Sequence, residues 1–141
     1  MKIQILPLVT GAQKATGLTV IIDVFRAFSL EAYMYASGAK KVIPVKTVED
    51  ALALKKENPS YILVGERKGI KVEGFDYGNS PSEFVGVDLS GKTLIHTTSA
   101  GVLGLASAVN ASQIVTGALV NAKATAKYIL KQNPEVVSIV P

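Results

Sequence analysis

The sequence predicts an α/β fold in which helical layers cover both faces of a mostly parallel sheet, a three-layer α/β/α sandwich. Three observations carry that prediction. Short β-branched runs alternate with longer helix-compatible stretches, the pattern of consecutive β–α–β units. Several runs, among them Val20-Ile21-Ile22 and Tyr61-Ile62-Leu63-Val64, are apolar at nearly every position and need cover on both faces. The 141 residues, 48% of them hydrophobic, suit a single α/β domain with a real core.

Taken in order, Lys2 to Leu6 opens the chain as a strand and Thr19 to Val24 forms the next. Ala27 to Ser37 carries the alanine, leucine and spaced apolar positions of a helix, and Gly38 fits its C-terminal cap. Lys41 to Val45 returns as a strand. Thr47, with Asp50 three residues on, then caps a helix over Val48 to Glu57. Tyr61 to Gly65 reads as a strand, followed by the densest turn signal in the chain, Gly74-Phe75-Asp76-Tyr77-Gly78-Asn79-Ser80-Pro81. Within it Gly78 suits a positive φ, Asn79 and Ser80 are natural N-caps, and Pro81 suits a first helical turn leading into Ser82-Glu83-Phe84. Strands over Thr93 to Thr97 and Gln113 to Thr116 precede helices over Ala100 to Val109 and Ala122 to Lys131. Val136 to Val140 reads as a buried strand with no helix after it. It is expected either at a sheet edge completed by another copy of the chain, a homo-oligomer, or within the N-terminal portion of a longer protein, the reading favoured here.

Composition narrows the chemistry. The net charge of +4 comes from dispersed lysines with no basic block, and Lys123, Lys127 and Lys131 repeat as the solvated stripe of a helix, so no nucleic-acid partner is expected. No apolar stretch reaches the ~18 to 20 residues of a membrane span and no signal-peptide pattern is seen, so the expected location is cytoplasmic with no membrane partner. There are no cysteines and one histidine, His96, which excludes disulfides, thiolate chemistry and a multi-histidine metal centre within one chain. His96 itself lies within a strand and reads as a satisfied core or rim residue. P-loop, dinucleotide-binding and nucleophile-elbow motifs are missing, and Phe25 stands where a D-x-D phosphatase would carry its second acid.

What remains is a distinctive use of arginine. Only two of the fifteen basic residues are arginines, and each follows an apolar run and lies near a carboxylate: Asp23 with Arg26, and Glu66 with Arg67. The planar guanidinium fork suits bidentate binding of phosphate or carboxylate, so these positions point to a small anion. Thr97-Thr98-Ser99 and Asn121 precede predicted helices, at the strand ends where open α/β sheets bind ligands, so these loops are expected to face one crevice. Taken alone, Asp23 with Arg26 also reads as a structural ion pair, and Thr97 to Ser99 as a helix cap.

At these residues the sequence resembles the 2-phosphosulfolactate phosphatase family, which supplies sulfolactate in coenzyme M biosynthesis. The resemblance is carried in order by Ile22-Asp23-Val24-Phe25-Arg26-Ala27, Gly38-Ala39-Lys40 leading to Ile43-Pro44-Val45, Gly65-Glu66-Arg67, Gly74-Phe75-Asp76 with Gly78-Asn79-Ser80-Pro81, Thr97-Thr98, and Asn121-Ala122. It implies an α/β fold of two similar layered halves and a magnesium-dependent phosphatase acting on a small acidic phosphomonoester such as 2-phosphosulfolactate. The catalytic set would be Asp23, Arg26, Glu66 and Arg67, with Asp23 and Glu66 as the Mg2+ carboxylates. Substrate would meet Asn79, Ser80, Thr97, Thr98, Ser99 and Asn121. Two departures stand out: Phe28 precedes Ser29 where the family carries small hydroxyl residues, and Ser99-Ala100-Gly101 replaces the Asn-Gly-Thr that usually follows the threonine pair. They motivate an alternative, a non-catalytic small-anion-binding domain related to the same enzymes.

Overall fold

The structure is a computed structural model describing residues 1–141. The α/β class and the mostly parallel strand pairing are as predicted, but the strands divide between two four-stranded sheets. The chain accordingly forms two compact units, Met1–Ser29 with Leu103–Pro141, and Leu30–Val102.

The first unit contains strands β1 (Lys2–Ile5), β2 (Gly17–Ile22), β7 (Ala111–Gly117) and β8 (Val136–Val140), in the order β1-β8-β2-β7 and all parallel. Alternation along β2 separates its faces. Ile21 joins Ala12, Ala15, Phe28, Ala108 and Val140 in one buried cluster, drawn from α1 (Leu8–Lys14) and from the parts of α2 (Ala27–Ala36) and α4 (Gly101–Ser107) that belong to this unit, with their flanking residues. Val20 and Ile22 face the other way, toward Thr125, Ala126 and Ile129 of α5 (Ala122–Gln132), where an apolar cavity of about 340 Å³ remains under the helix. Helices therefore cover both faces.

Two expectations change here. β8 is not an edge strand, because it lies between β1 and β2 with Val137, Ser138 and Val140 buried. Its one polar residue is stitched into place: Ser138 Oγ donates to Thr16 O at 2.7 Å and accepts from Thr16 N at 3.1 Å and Gln4 Nε2 at 2.8 Å. Helix α1 has no counterpart in the sequence reading. Val9, Thr10 and Gly11 are poor helix formers, and burial of Gly11 and Ala12 holds the helix instead.

The second unit contains β3 (Lys41–Pro44), β4 (Ile62–Arg67), β5 (Ile70–Lys71) and β6 (Thr93–Thr97) in the order β3-β6-β4-β5. All pairs are parallel except the β4–β5 hairpin. Val64 and Leu94 face Leu30 and Met34 of α2 together with Phe84 and Leu89, whereas Leu63 and Ile95 face Ala51 of α3 (Val48–Glu57) and Phe75. This too is a three-layer arrangement. Helix α3 has the predicted bounds, and Thr47 Oγ1 accepts the Asp50 N–H at 3.0 Å as its N-cap. Gly38 closes α2 with φ +98°, the left-handed conformation that disfavours a side chain.

Candidate active site

The turn-rich segment after β5 is ordered by β4. Tyr77 pairs with Val64 in a parallel bridge, the Tyr77 N–H donates to Leu63 O at 3.1 Å, and the Gly65 N–H donates to Tyr77 O at 3.1 Å. Asp76 Oδ2 accepts the Leu63 N–H at 2.8 Å, and Phe75 is buried against Leu63 and Ile95. The positive φ in this segment belongs to Gly74 (+81°) rather than Gly78; a Cβ on Gly78 would instead stand 2.9 Å from Glu83 Oε1. Pro81–Phe84 forms a 3-10 turn, so Pro81 does open a helical turn. Ser80 and Ser82 share a hydroxyl hydrogen bond of 2.9 Å. The segment delivers Asn79, 8% exposed, to the buried ring of His96, with Oδ1 and Nε2 3.1 Å apart.

Glu66 and Arg67 end β4, and their side chains bind in opposite ways. Glu66 is buried, and its carboxylate accepts two backbone donors: Ser99 N–H on Oε1 at 2.9 Å and Gly69 N–H on Oε2 at 2.7 Å. Burial works to raise its pKa, but these donors, the Ser99 side chain and the Arg67 charge outweigh it and hold the group below the ordinary glutamate value. The carboxylate therefore stays ionised at neutral pH.

Arg67 acts as a clamp across three strand ends. Its Nη2 donates to Thr97 Oγ1 at 2.8 Å and Lys46 O at 3.0 Å, and Nη1 donates to Glu66 O at 2.7 Å. Three of the guanidinium's five N–H donors are thus used internally, and two remain. Gly65, just before this pair, has no room for a side chain: an added Cβ would lie 2.5 Å from Thr97 O and 3.2 Å from Phe75.

The Thr97-Thr98-Ser99 loop is built from the same bonds. Thr97, fully buried, accepts from Arg67; Thr98 Oγ1 accepts the Gly101 N–H at 3.0 Å as a cap on α4; the Ser99 N–H is taken by Glu66. A carboxylate of the chain itself therefore sits where this loop offers a backbone donor to an anion.

His96, one residue earlier on β6, lies between Pro44 of β3 and Val64 of β4. Burial pushes its pKa down to about 4, against the opposing pull of the Glu66 charge, so the ring is neutral at pH 7. The sequence marks His96 as a satisfied core or rim residue, and the structure supplies the partner, Asn79. Strand alternation on β6, which sets His96 on the face of Leu94, was the available signal.

Asp23, Arg26 and Asn121 belong to the first unit. Asp23 follows β2, its N–H donating to Gly117 O at 3.0 Å. Ser29 Oγ donates to Val24 O at 2.8 Å, closing the segment that carries the exposed Phe25 and Arg26. Phe28 points into the core at 2% exposure. The Asn121 amide is engaged at both ends, Oδ1 accepting from Ala118 N at 2.8 Å and Nδ2 donating to Thr116 O at 3.1 Å, which shapes the turn into α5. The apolar cavity beneath α5 offers no charged group to a phosphate.

No group of three or more His, Asp or Glu side chains gathers as a metal cage. An ionised glutamate whose oxygens each accept a single N–H still has lone pairs for a hard cation. Magnesium needs only one or two carboxylates and keeps several waters, so Glu66 fits it as a ligand.

A family model described as 2-phosphosulpholactate phosphatase matches residues 5–141. The chain belongs to the 2-phosphosulpholactate phosphatase family. Its similarity to named members of the family is substantial. A probable 2-phosphosulfolactate phosphatase of Carboxydothermus hydrogenoformans is 48% identical over 118 residues, covering 84% of this chain and 49% of that protein. Proteins of the same name are 40% identical in Bacillus subtilis, covering 81% of this chain and 50% of that protein, and 42% identical in Caldanaerobacter subterraneus, covering 85% and 51%. The chain spans about half the length of the curated relatives it matches.

Proposed function

We propose that this chain forms part of a magnesium-dependent phosphatase that hydrolyses a small, highly anionic phosphomonoester such as 2-phosphosulfolactate. The observation that carries the proposal is the Glu66–Arg67 pair at the carboxyl end of β4: a buried carboxylate held ionised by two backbone donors, beside a guanidinium with two donors still to offer. Membership of the family and the shared name of its relatives support the substrate class.

Phosphoryl transfer asks a protein mainly for positioning and charge neutralisation. Arg67, fixed by its internal bonds, binds a phosphate oxygen through its remaining donors without reorganising. Asn79 and Ser80 supply neutral donors from the adjoining segment. Glu66 serves as metal ligand and orients the attacking water, and Asp23 and Arg26 keep the roles that the family resemblance implies, metal ligation and anion binding. When bound, magnesium supplies positive charge for the developing oxyanions and leaving oxygen. Neither departure from the family pattern obstructs this scheme, since Phe28 is core and the Ser99 N–H anchors Glu66.

The test is release of inorganic phosphate from 2-phosphosulfolactate and phospholactate by the full-length protein, with magnesium and with chelator. Magnesium-dependent turnover is expected. Binding without turnover under any divalent metal would instead support a non-catalytic anion-binding domain, the reading favoured by the internal use of the Ser99 and Gly101 N–H donors.

A further inference from the structure

We propose that His96 is a positioning residue that orients the Asn79 amide, so that Asn79 presents its NH2 group, and not its oxygen, to an anionic substrate oxygen. The inference rests on the phosphatase reading above but concerns a residue to which that reading gives no role.

His96 is the penultimate residue of the central strand β6, follows the fully buried Leu94 and Ile95, and is 3% exposed. A polar ring at such a place destabilises the fold unless hydrogen-bonded, and an aliphatic side chain would fill the layer at lower cost. The ring's bond goes to Asn79 Oδ1 from Nε2 at 3.1 Å. With Asn79 Oδ1 as the acceptor, Nε2 carries the proton and Nδ1 does not, which is the tautomer this proposal requires and the NMR test below reads.

The consequence falls on Asn79. An amide has nearly the same shape in its two orientations and opposite polarity. Facing an anion with its oxygen it repels; facing it with NH2 it offers two donors. The sheet fixes the ring, and a proton on Nε2 pairs only with the orientation in which the amide oxygen turns toward it, which turns NH2 away. The rest of the segment is equally constrained: Tyr77 is paired to β4 with its ring centroid 4.6 Å from that of Phe84 in a tilted contact, and the Gly78 N–H donates to Glu83 Oε2 at 3.1 Å. Backbone position and amide polarity are thus set by separate contacts, and only the second depends on His96.

The test combines side-chain NMR with kinetics on the full chain. In 15N-labelled protein at pH 7, His96 should show a protonated Nε2 and a bare Nδ1, and the Asn79 NH2 resonances should shift on titration with inorganic phosphate. His96→Leu, which removes the donor, should abolish that shift and raise KM for the phosphomonoester at least tenfold with kcat changed less than threefold. His96→Gln, which restores an N–H donor, should return KM to within about threefold of wild type. A folded wild-type protein whose Asn79 NH2 signals ignore phosphate overturns the proposal, as does an equal KM change in the Leu and Gln variants. The wild-type titration needs no variant to fold. Phosphate-induced shifts without turnover of any phosphomonoester would retire the phosphatase reading and keep this one; turnover with no difference between Leu and Gln would do the reverse.

Discussion

Glu66 Oε1 accepts the backbone N–H of Ser99 at 2.9 Å, tying the end of β4 to the loop that leaves β6. The partner oxygen takes the Gly69 N–H of the β4–β5 turn, so one carboxylate organises two loops at the carboxyl ends of the parallel strands. Glu66 is therefore expected to matter for stability as well as for chemistry.

Glu66→Gln tests both roles. The amide can accept from only one of the two N–H groups and confronts the other with its own donor, so a loss of about 1–3 kcal/mol is expected in chemical denaturation. If Glu66 also holds the cation, the magnesium dependence of turnover should disappear along with most of kcat.

Arg67→Lys is expected to lower stability by about 1–3 kcal/mol, because a lysine ammonium cannot span Thr97, Lys46 and Glu66 as the planar fork does. Arg26→Lys, at an exposed position, should change stability by less than about 0.5 kcal/mol while raising KM. Thermal melts beside kinetics separate the two. Equal melting losses would show that the arginines do not differ in structural role.

Gly65→Ala should be among the most damaging small substitutions in the chain. The new methyl meets the Thr97 carbonyl, which cannot move without opening the β4–β6 ladder, and a cost of about 1–3 kcal/mol follows from forced overpacking. Denaturant midpoints of the two proteins measure it.

Acid should weaken the fold in two stages. The unfolded chain protonates His96 near its ordinary 6.5, whereas the folded chain resists until about 4, so stability is complete above pH 6.5 and falls by roughly 3 kcal/mol on the way to pH 4. Glu66, held below the ordinary glutamate value of 4.5, contributes stability that is lost as pH falls from there through its lowered value. Urea denaturation at pH 7, 5.5 and 4 should show the first stage in wild type and not in His96→Gln.

Much of this protein was legible from residue order alone. The alternation of apolar runs with alanine- and leucine-bearing stretches marked seven strands and four helices, and α3 and β8 have the predicted bounds, because burial on both faces imposes a local pattern that a reader can see. The Glu66–Arg67 and Thr97–Ser99 motifs were legible for a similar reason: polar residues that directly follow apolar strands have few other places to go. Tertiary structure alone decided the rest. It placed β8 inside a sheet, divided the strands between two sheets, turned Arg67 into a clamp, set Glu66 on the Ser99 and Gly69 donors, and paired His96 with Asn79. Each of those outcomes depends on a partner far away in the chain, and a hydrogen bond between distant residues leaves no period or composition in the sequence by which its other end can be found.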